Sequence, residues 1–291
     1  MPISDFPPEP PIDLPPARTV HVKGRGEFFV RDSGLFDTGS GRPTVMLLHG
    51  WMATADLNWV GVYQDLITAG YRVLAIDHRG HGRGLRPLRK FRLSDCAADA
   101  AGVLRTLGLA PALVVGYSMG GAIAQLMTRE QPDAVSGLVL SGTAQHWQEP
   151  ALRRYWLAMG AMGLSLAVFP SQFWRLGVRR SGIPAGPRRA WLQSELMRHS
   201  ARDVAEAGRE LGRFDSRPWL KRLEVPSAMV LTSRDDLVPP SKQRELAQAL
   251  EADIYDAPIR HLQVTTAGAK YNQPLLQALQ AVRDGRQAQA A

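Results

Sequence analysis

The chain has 291 residues, 45% of them hydrophobic and 21% charged, enough for a sizeable core in one large domain or in a core with a subdomain. Its single cysteine, Cys96, excludes an internal disulfide framework and a cysteine metal cluster. The formal charge of +8, from 35 Lys+Arg against 27 Asp+Glu, leaves nucleic acid, an anionic membrane or a plain solvated surface as meanings of the basic balance.

Residues 1–18 form a proline-rich arm, with seven prolines in the first sixteen positions favouring an extended, polyproline-like course. The arm has neither a basic start nor an apolar segment, so it does not read as a secretory signal. No stretch reaches the roughly 18–20 apolar residues a bilayer span needs, and a cytoplasmic location is expected. Thr19–Val30 reads as opening strands with turns at Gly24 and Gly26, and Asp32–Pro43 as a loop. Thr44–Leu48 is a continuous apolar run, as in strands buried on both faces of a parallel sheet, and it ends in His49-Gly50-Trp51. A helix is predicted over Trp59–Ala69, stopped by Gly70. A second strand, Arg72–Asp77, opens into His78-Arg79-Gly80-His81-Gly82. Ser94 or Asp95 caps a predicted helix running to Leu107, with Gly108 beyond its end. Cys96 lies on that helix between Asp95 and Asp99, which raise a thiol pKa, so it reads as a buried and unreactive cysteine. Ala112–Val115 and Val135–Ser141 are further strands, with a helix between them. Strands alternating with helices predict a parallel α/β sheet with right-handed crossovers. Ligands on such sheets bind beyond the carboxyl ends of the strands, where His49, Asp77, Ser118 and Ser141 all fall.

The rhythm breaks at Trp147. Residues 147–217 read as a helical insertion, with breaks at Pro170, Gly182–Pro184 and Gly186-Pro187. From Trp147 to Arg217 there are twelve arginines and six acidic residues, so a net +6 of the chain's +8 sits here. Tyr155–Phe169 carries no charge, which suits a lid helix packed on the core or an interfacial helix against an anionic lipid surface. No nucleic-acid reading module accompanies the arginines, so no nucleic-acid partner is expected. The strand–helix rhythm returns with Val225–Thr232, Ser241–Leu250, Asp253–Tyr255 and a last helix over Pro274–Val282. The expected organisation is therefore the arm (1–18), a core (19–146 and 218–291) and the inserted helical cap (147–217).

The chain's chemistry centres on Gly116-Tyr117-Ser118-Met119-Gly120, between an apolar strand and a helix. Such a turn holds a serine hydroxyl at its apex, beside a helix N-terminus that favours anions. A serine nucleophile needs a base to take its proton, and the base needs an acid to orient it. The acid falls in Thr232-Ser233-Arg234-Asp235-Asp236-Leu237-Val238-Pro239, a loop after a strand with two aspartates. Of seven histidines, only His261 follows that loop, and the order Ser, Asp, His is one that triads on parallel sheets use.

With these residues in place the chain resembles the α/β-hydrolase fold superfamily, as a serine hydrolase with a helical cap of the bacterial esterase and lipase type. The resemblance rests on His49-Gly50-Trp51, Asp77-His78-Arg79-Gly80-His81-Gly82, Gly116–Gly121, the Asp235–Pro239 loop and His261, in the family's order over about 45–265. It implies a mostly parallel central sheet with flanking helices and an inserted cap. It implies Asp235 as the acid, with Asp236 as the alternative, and the backbone N–H groups of Trp51 and Met119 as oxyanion hole. It gives His49, Asp77, His78, Arg79 and His81 a structural part beside the site rather than a metal site, and it calls for no metal or organic cofactor. A serine at the apex counts against relatives that use aspartate there. Candidate substrate-pocket residues are Tyr117, His146, Trp147, Met159 and Met162; the apolar ones suggest an apolar acyl group. The expected activity is hydrolysis of small to medium acyl esters through an acyl-enzyme on Ser118. The alternatives are an acyl thioesterase, a carbon–carbon bond hydrolase or a cofactor-free haloperoxidase relative, with a non-catalytic binding protein last. The expected partner is a small-molecule ester, with weak contact between the basic cap and an anionic membrane as an added option; the oligomeric state is open.

Overall fold

The computed structural model describes residues 10, 12–36, 41–180, 184–220 and 223–290. Most of the proline-rich arm, residues 182–183 of one expected cap break, and Ala291 lie outside the described residues. In chain order the core begins with β1 (Ala17–Val22), β2 (Gly26–Asp32), β3 (Thr44–Leu48), α1 (Ala55–Trp59), α2 (Tyr63–Thr68), β4 (Arg72–Ile76) and α3 (Leu93–Thr106). It continues with β5 (Ala112–Tyr117), α4 (Met119–Glu130) and β6 (Val135–Ser141). Five helices follow: α5 (Pro150–Leu157), α6 (Met159–Val168), α7 (Pro170–Arg180), α8 (Pro187–Leu196) and α9 (Ala201–Arg213). Then come β7 (Ser227–Thr232), α10 (Pro240–Ala249), β8 (Asp253–Ala257) and α11 (Ala269–Ala290).

Among the described residues the strands form one sheet in the order β1-β2-β4-β3-β5-β6-β7-β8. The β1–β2 and β2–β4 pairs are antiparallel, and every pair from β4 to β8 is parallel. The apolar runs explain this. All five residues of β3 and all seven of β6 are buried, because helices cover both faces. Successive side chains go to opposite layers. Met46 and Leu48 join α3, α4 and α10, while Val45 and Leu47 join α1, α2 and α11. The parallel arrangement brings the carboxyl ends of β3, β5, β7 and β8 to one edge, where the loops that carry function begin.

Three expectations on element boundaries need correction. Of the helix expected over Trp59–Ala69, α2 forms only from Tyr63 to Thr68; Trp59 ends the preceding α1, and between the two the Gly61 carbonyl accepts from the Asn272 side chain. A Cβ at Gly61 would also crowd the Thr265 carbonyl, so the chain behind it presses on this break. The capping predicted for Ser94 or Asp95 does not occur; α3 starts at Leu93, and Asp95 lies in its first turn. The last helix starts five residues before Pro274, which lies inside it.

Candidate active site

Between the end of β5 at Tyr117 and the start of α4 at Met119, Ser118 is the whole connection. Its backbone sits at φ 54° and ψ −117°, a conformation that costs a non-glycine residue about 1–3 kcal/mol. The turn closes because its neighbours lack side chains: a Cβ on Gly120 would run into the Leu48 carbonyl, and one on Gly116 into the Gly120 carbonyl. The Ser118 N–H donates to the Ser141 carbonyl at 3.0 Å, and the Thr143 hydroxyl donates to the Ser118 carbonyl at 2.8 Å. The main chain is pinned on both sides and the hydroxyl is left for other work.

That hydroxyl lies 3.0 Å from His261 Nε2, and His261 Nδ1 lies 2.7 Å from Asp235 Oδ2. Facing a carboxylate, Nδ1 carries the ring proton, so Nε2 is free to accept from the serine. Asp235 is itself held. Its Oδ2 accepts from the Thr232 hydroxyl, and its Oδ1 from the N–H groups of Leu237 and Val238 at 2.9 and 2.8 Å. Burial alone would raise the Asp235 pKa, but the His261 ring, the Val238 N–H and the Thr232 hydroxyl together hold it below the ordinary carboxylate value. Asp236 is exposed and makes no contact with His261, so of the two aspartates it is Asp235 that meets the ring. The Tyr117 hydroxyl donates to the His261 carbonyl at 2.6 Å, with the two rings 5.2 Å apart, and fixes the loop that carries the histidine.

Trp51 follows β3, and Met119 opens α4. Neither backbone N–H has an acceptor among the described residues. Gly50 sets the approach of the Trp51 loop: a Cβ on it would stand 3.3 Å from Ser118 Cβ, and its N–H donates to Asn58 Oδ1 at 2.9 Å. The Trp51 indole reaches the other way and donates to the Val204 carbonyl of α9 at 2.8 Å.

A cavity of about 340 Å³ opens over Ser118 and His261. Its apolar walls come from Leu57, from Trp174 and Val178 of α7, from Leu192 and Leu196 of α8, and from Val264. Among the described residues no Asp, Glu, Lys or Arg lines it. The arrangement can activate one hydroxyl next to a largely apolar space, with two N–H groups nearby that have no acceptor among the described residues.

Residues 43–161 match the model of the alpha/beta hydrolase fold. The chain is 31% identical over 234 residues to a non-heme haloperoxidase from Rhodococcus erythropolis, covering 74% of this chain and 82% of that one. It is 33% identical over 122 residues to a bifunctional esterase/perhydrolase from Acinetobacter calcoaceticus, covering 42% of each. The fold superposes on an esterase from Exiguobacterium antarcticum with a TM-score of 0.76 at 20% identity, over 91% of this chain and all of that one. The chain belongs to the α/β-hydrolase family.

In this α/β-hydrolase the other pocket candidates sit elsewhere. Tyr117 lines the cavity, but His146, Trp147, Met159 and Met162 are not among its lining residues. The His146 carbonyl accepts from the Lys242 ammonium, and the residue bridges to Asp215. Trp147 packs on Phe214 with rings 5.7 Å apart. Met159 is buried towards α9, where a Cβ on Gly208 would meet its sulfur, and Met162 packs on the cluster of Leu166, Trp174 and Val204. The true wall residues of α7 and α8 gave no local signal, because only tertiary packing turns them inward.

The His49–His81 stretch of the hydrolase is a buried bracing network. His49 Nε2 accepts from the His78 N–H at 3.0 Å, and Nδ1 donates to the Gly50 carbonyl at 2.8 Å, so the ring is neutral and both nitrogens are occupied. Asp77 accepts from the N–H groups of Ala55 and Arg83 at 2.7 and 2.8 Å, tying together the two loops on either side. Arg79 binds Asp99 through two hydrogen bonds. Among the described residues no group of three His, Cys, Asp or Glu side chains is disposed to hold a metal ion.

Proposed function

We propose that this α/β-hydrolase cleaves carboxylic esters of small to medium apolar acyl groups through an acyl-enzyme on Ser118. One observation carries the reading: the hydrogen-bonded series Ser118–His261–Asp235 opens onto an apolar cavity that, among the described residues, no Asp, Glu, Lys or Arg side chain lines. Ser118 Oγ attacks the ester carbonyl as His261 Nε2 takes its proton, while Asp235 stays ionised and steadies the imidazolium. The N–H groups of Trp51 and Met119 receive the oxyanion, in a site where preorganised donors are worth far more than in water. The tetrahedral adduct collapses, and the leaving alkoxide takes the proton from His261. Water then adds to the acyl-enzyme with His261 again as base, and the acid leaves from the restored serine. In this reading residues 147–217 act as the cap, and α7 and α8 select the acyl group.

The test is an acyl-chain series of p-nitrophenyl esters, with matching acyl-CoA thioesters, run on wild type and Ser118→Ala. Wild type turns over the uncharged esters and is labelled by a fluorophosphonate probe, whereas Ser118→Ala loses the label and roughly 10⁴-fold or more of kcat. A wild type that takes neither probe nor ester ends the proposal. Faster turnover of thioesters than of matching esters moves it to a thioesterase. A second reading is favoured by the haloperoxidase and esterase/perhydrolase relatives. Hydrogen peroxide replaces water in the second half and leaves with the acyl group as a peracid. Peracid formation that rises with peroxide at the expense of hydrolysis identifies it.

A further inference from the structure

Helix α6 has the wrong outer face for a helix in water. Its inner stripe, Met159, Met162 and Leu166, packs inward on neighbouring helices, with α9 behind it. Its outer stripe, spaced four, three and four residues apart, is Leu157 at the end of α5, then Ala161, Leu164 and Val168. All four are exposed; Leu157 is 76% and Leu164 66% accessible. Phe169, at the corner with α7, is 57% accessible. A surface helix normally turns polar residues outward, and one that is apolar all round is normally covered. Within α6, at 1.5 Å per residue, the stripe from Ala161 to Val168 extends over about 10 Å, with Leu157 and Phe169 at its two ends.

The charge around the patch is one-sided. Residues 150–194 hold seven arginines and no aspartate or glutamate. The acidic residues of helices α5–α9 all lie on the neighbouring α8 and α9 side, and three arginines are paired with them: Arg198 with Glu195, Arg202 with Glu206 and Arg213 with Glu210. Arg154, Arg175 and Arg179, which bracket the patch on α5 and α7, have no acidic partner among the described residues. Unpaired cations around an exposed apolar stripe match a surface that is anionic outside and apolar just beneath. A second copy of this chain does not match, because the same arginines would face each other.

We propose that the α5–α7 face docks on anionic lipid bilayers, with Leu157, Leu164, Val168 and Phe169 entering the headgroup region and Arg154, Arg175 and Arg179 on lipid phosphates. The same helix α7 that carries the half-buried Arg175 and the exposed Arg179 walls the cavity with Trp174 and Val178 on its inner side. A docked molecule therefore holds its cavity one helix away from the membrane. The inference is independent of the ester reading, since docking needs no turnover.

The experiment uses the full chain carrying Ser118→Ala, floated with vesicles of phosphatidylcholine alone and of phosphatidylcholine mixed with phosphatidylglycerol. The parent floats with the anionic vesicles only, and rising salt releases it. Leu164→Glu lowers partitioning by more than about tenfold, and Arg154→Gln and Arg179→Gln by roughly fivefold each. The same substitutions in an otherwise wild-type chain leave turnover of a soluble p-nitrophenyl ester unchanged, because none of these side chains lines the cavity. Equal recovery with and without phosphatidylglycerol overturns the proposal, as does anionic binding untouched by Leu164→Glu. A chain that ignores both vesicles and runs as a dimer that Leu164→Glu dissociates assigns the face to self-association instead.

Discussion

At the scale of single residues, the site turns on which of two adjacent carboxylates meets the imidazole. Asp235 accepts from Thr232, Leu237 and Val238 besides His261, so its position is fixed from three further directions. Asp235→Asn keeps the size but removes the charge and gives Nδ1 a donor to face, which favours the wrong ring tautomer. It is expected to lower kcat on a p-nitrophenyl ester by roughly 10³–10⁴-fold. Asp236→Asn, on an exposed side chain, is expected to stay within about twofold, and steady-state kinetics of the pair separates the two roles. Equal losses in the two variants would contradict the geometry. The residues alone narrowed the acid to Asp235 or Asp236 and the base to the one histidine after them; the preference for Asp235 came from the resemblance to the α/β-hydrolase family. Ser118 was legible for a different reason: glycines at 116 and 120 are what a backbone at φ 54° requires around it.

At the scale of elements, α7 and α8 wall the cavity over the serine, and in the proposed reading they select what fits there. Trp174 is buried, stacks edge-on with Phe173 and closes one side of the cavity. Trp174→Leu is expected to shift the acyl-chain optimum towards longer esters. Each extra methylene the pocket then accepts is worth about 0.8 kcal/mol, or about fourfold in kcat/KM. An unchanged chain-length profile would place the acyl group elsewhere. The wall was not legible beforehand. Met159 and Met162 looked like pocket residues because they are large and apolar in an uncharged stretch. A stretch that is apolar all round has no phase, however, and nothing local says which side faces a cavity and which faces α9. The strands were legible because burial on both faces leaves continuous apolar runs such as Val45–Leu48. The split between α1 and α2 was not, since it depends on Asn272, more than two hundred residues away.

At the scale of the whole molecule, the buried histidines set the acid limit of the fold. His49, His78 and His81 form a stack with ring centroids 4.3 and 5.5 Å apart around His49. Burial, with the neighbouring rings adding to it, holds all three far below the usual histidine value, His78 at about 3. In the unfolded chain each takes up a proton near pH 6.5, so as pH falls below that the unfolded state binds three protons the folded state refuses. Asp77 acts in the opposite sense, because burial raises it to about 6 and the folded state protonates it first. His199, against His81 and held at about 4, adds to the histidine side, so the net proton uptake belongs to the unfolded state and stability falls as pH drops from about 6 towards 4. Urea midpoints are expected to be level near neutrality and to fall steeply through that window. A midpoint that holds down to the lower end would mean the rings are already charged or solvated in the fold.

The bond from the Trp51 indole to the Val204 carbonyl joins the loop after β3 to the inserted helices. Seen as engineering, it makes the insertion a poor interchangeable part. A graft that replaced 147–217 with another helical segment would remove the anchor of the tryptophan whose own N–H the proposed mechanism assigns to the oxyanion. Turnover would then change even for a substrate too small to touch the grafted wall, and selectivity could not be transplanted without carrying rate along with it.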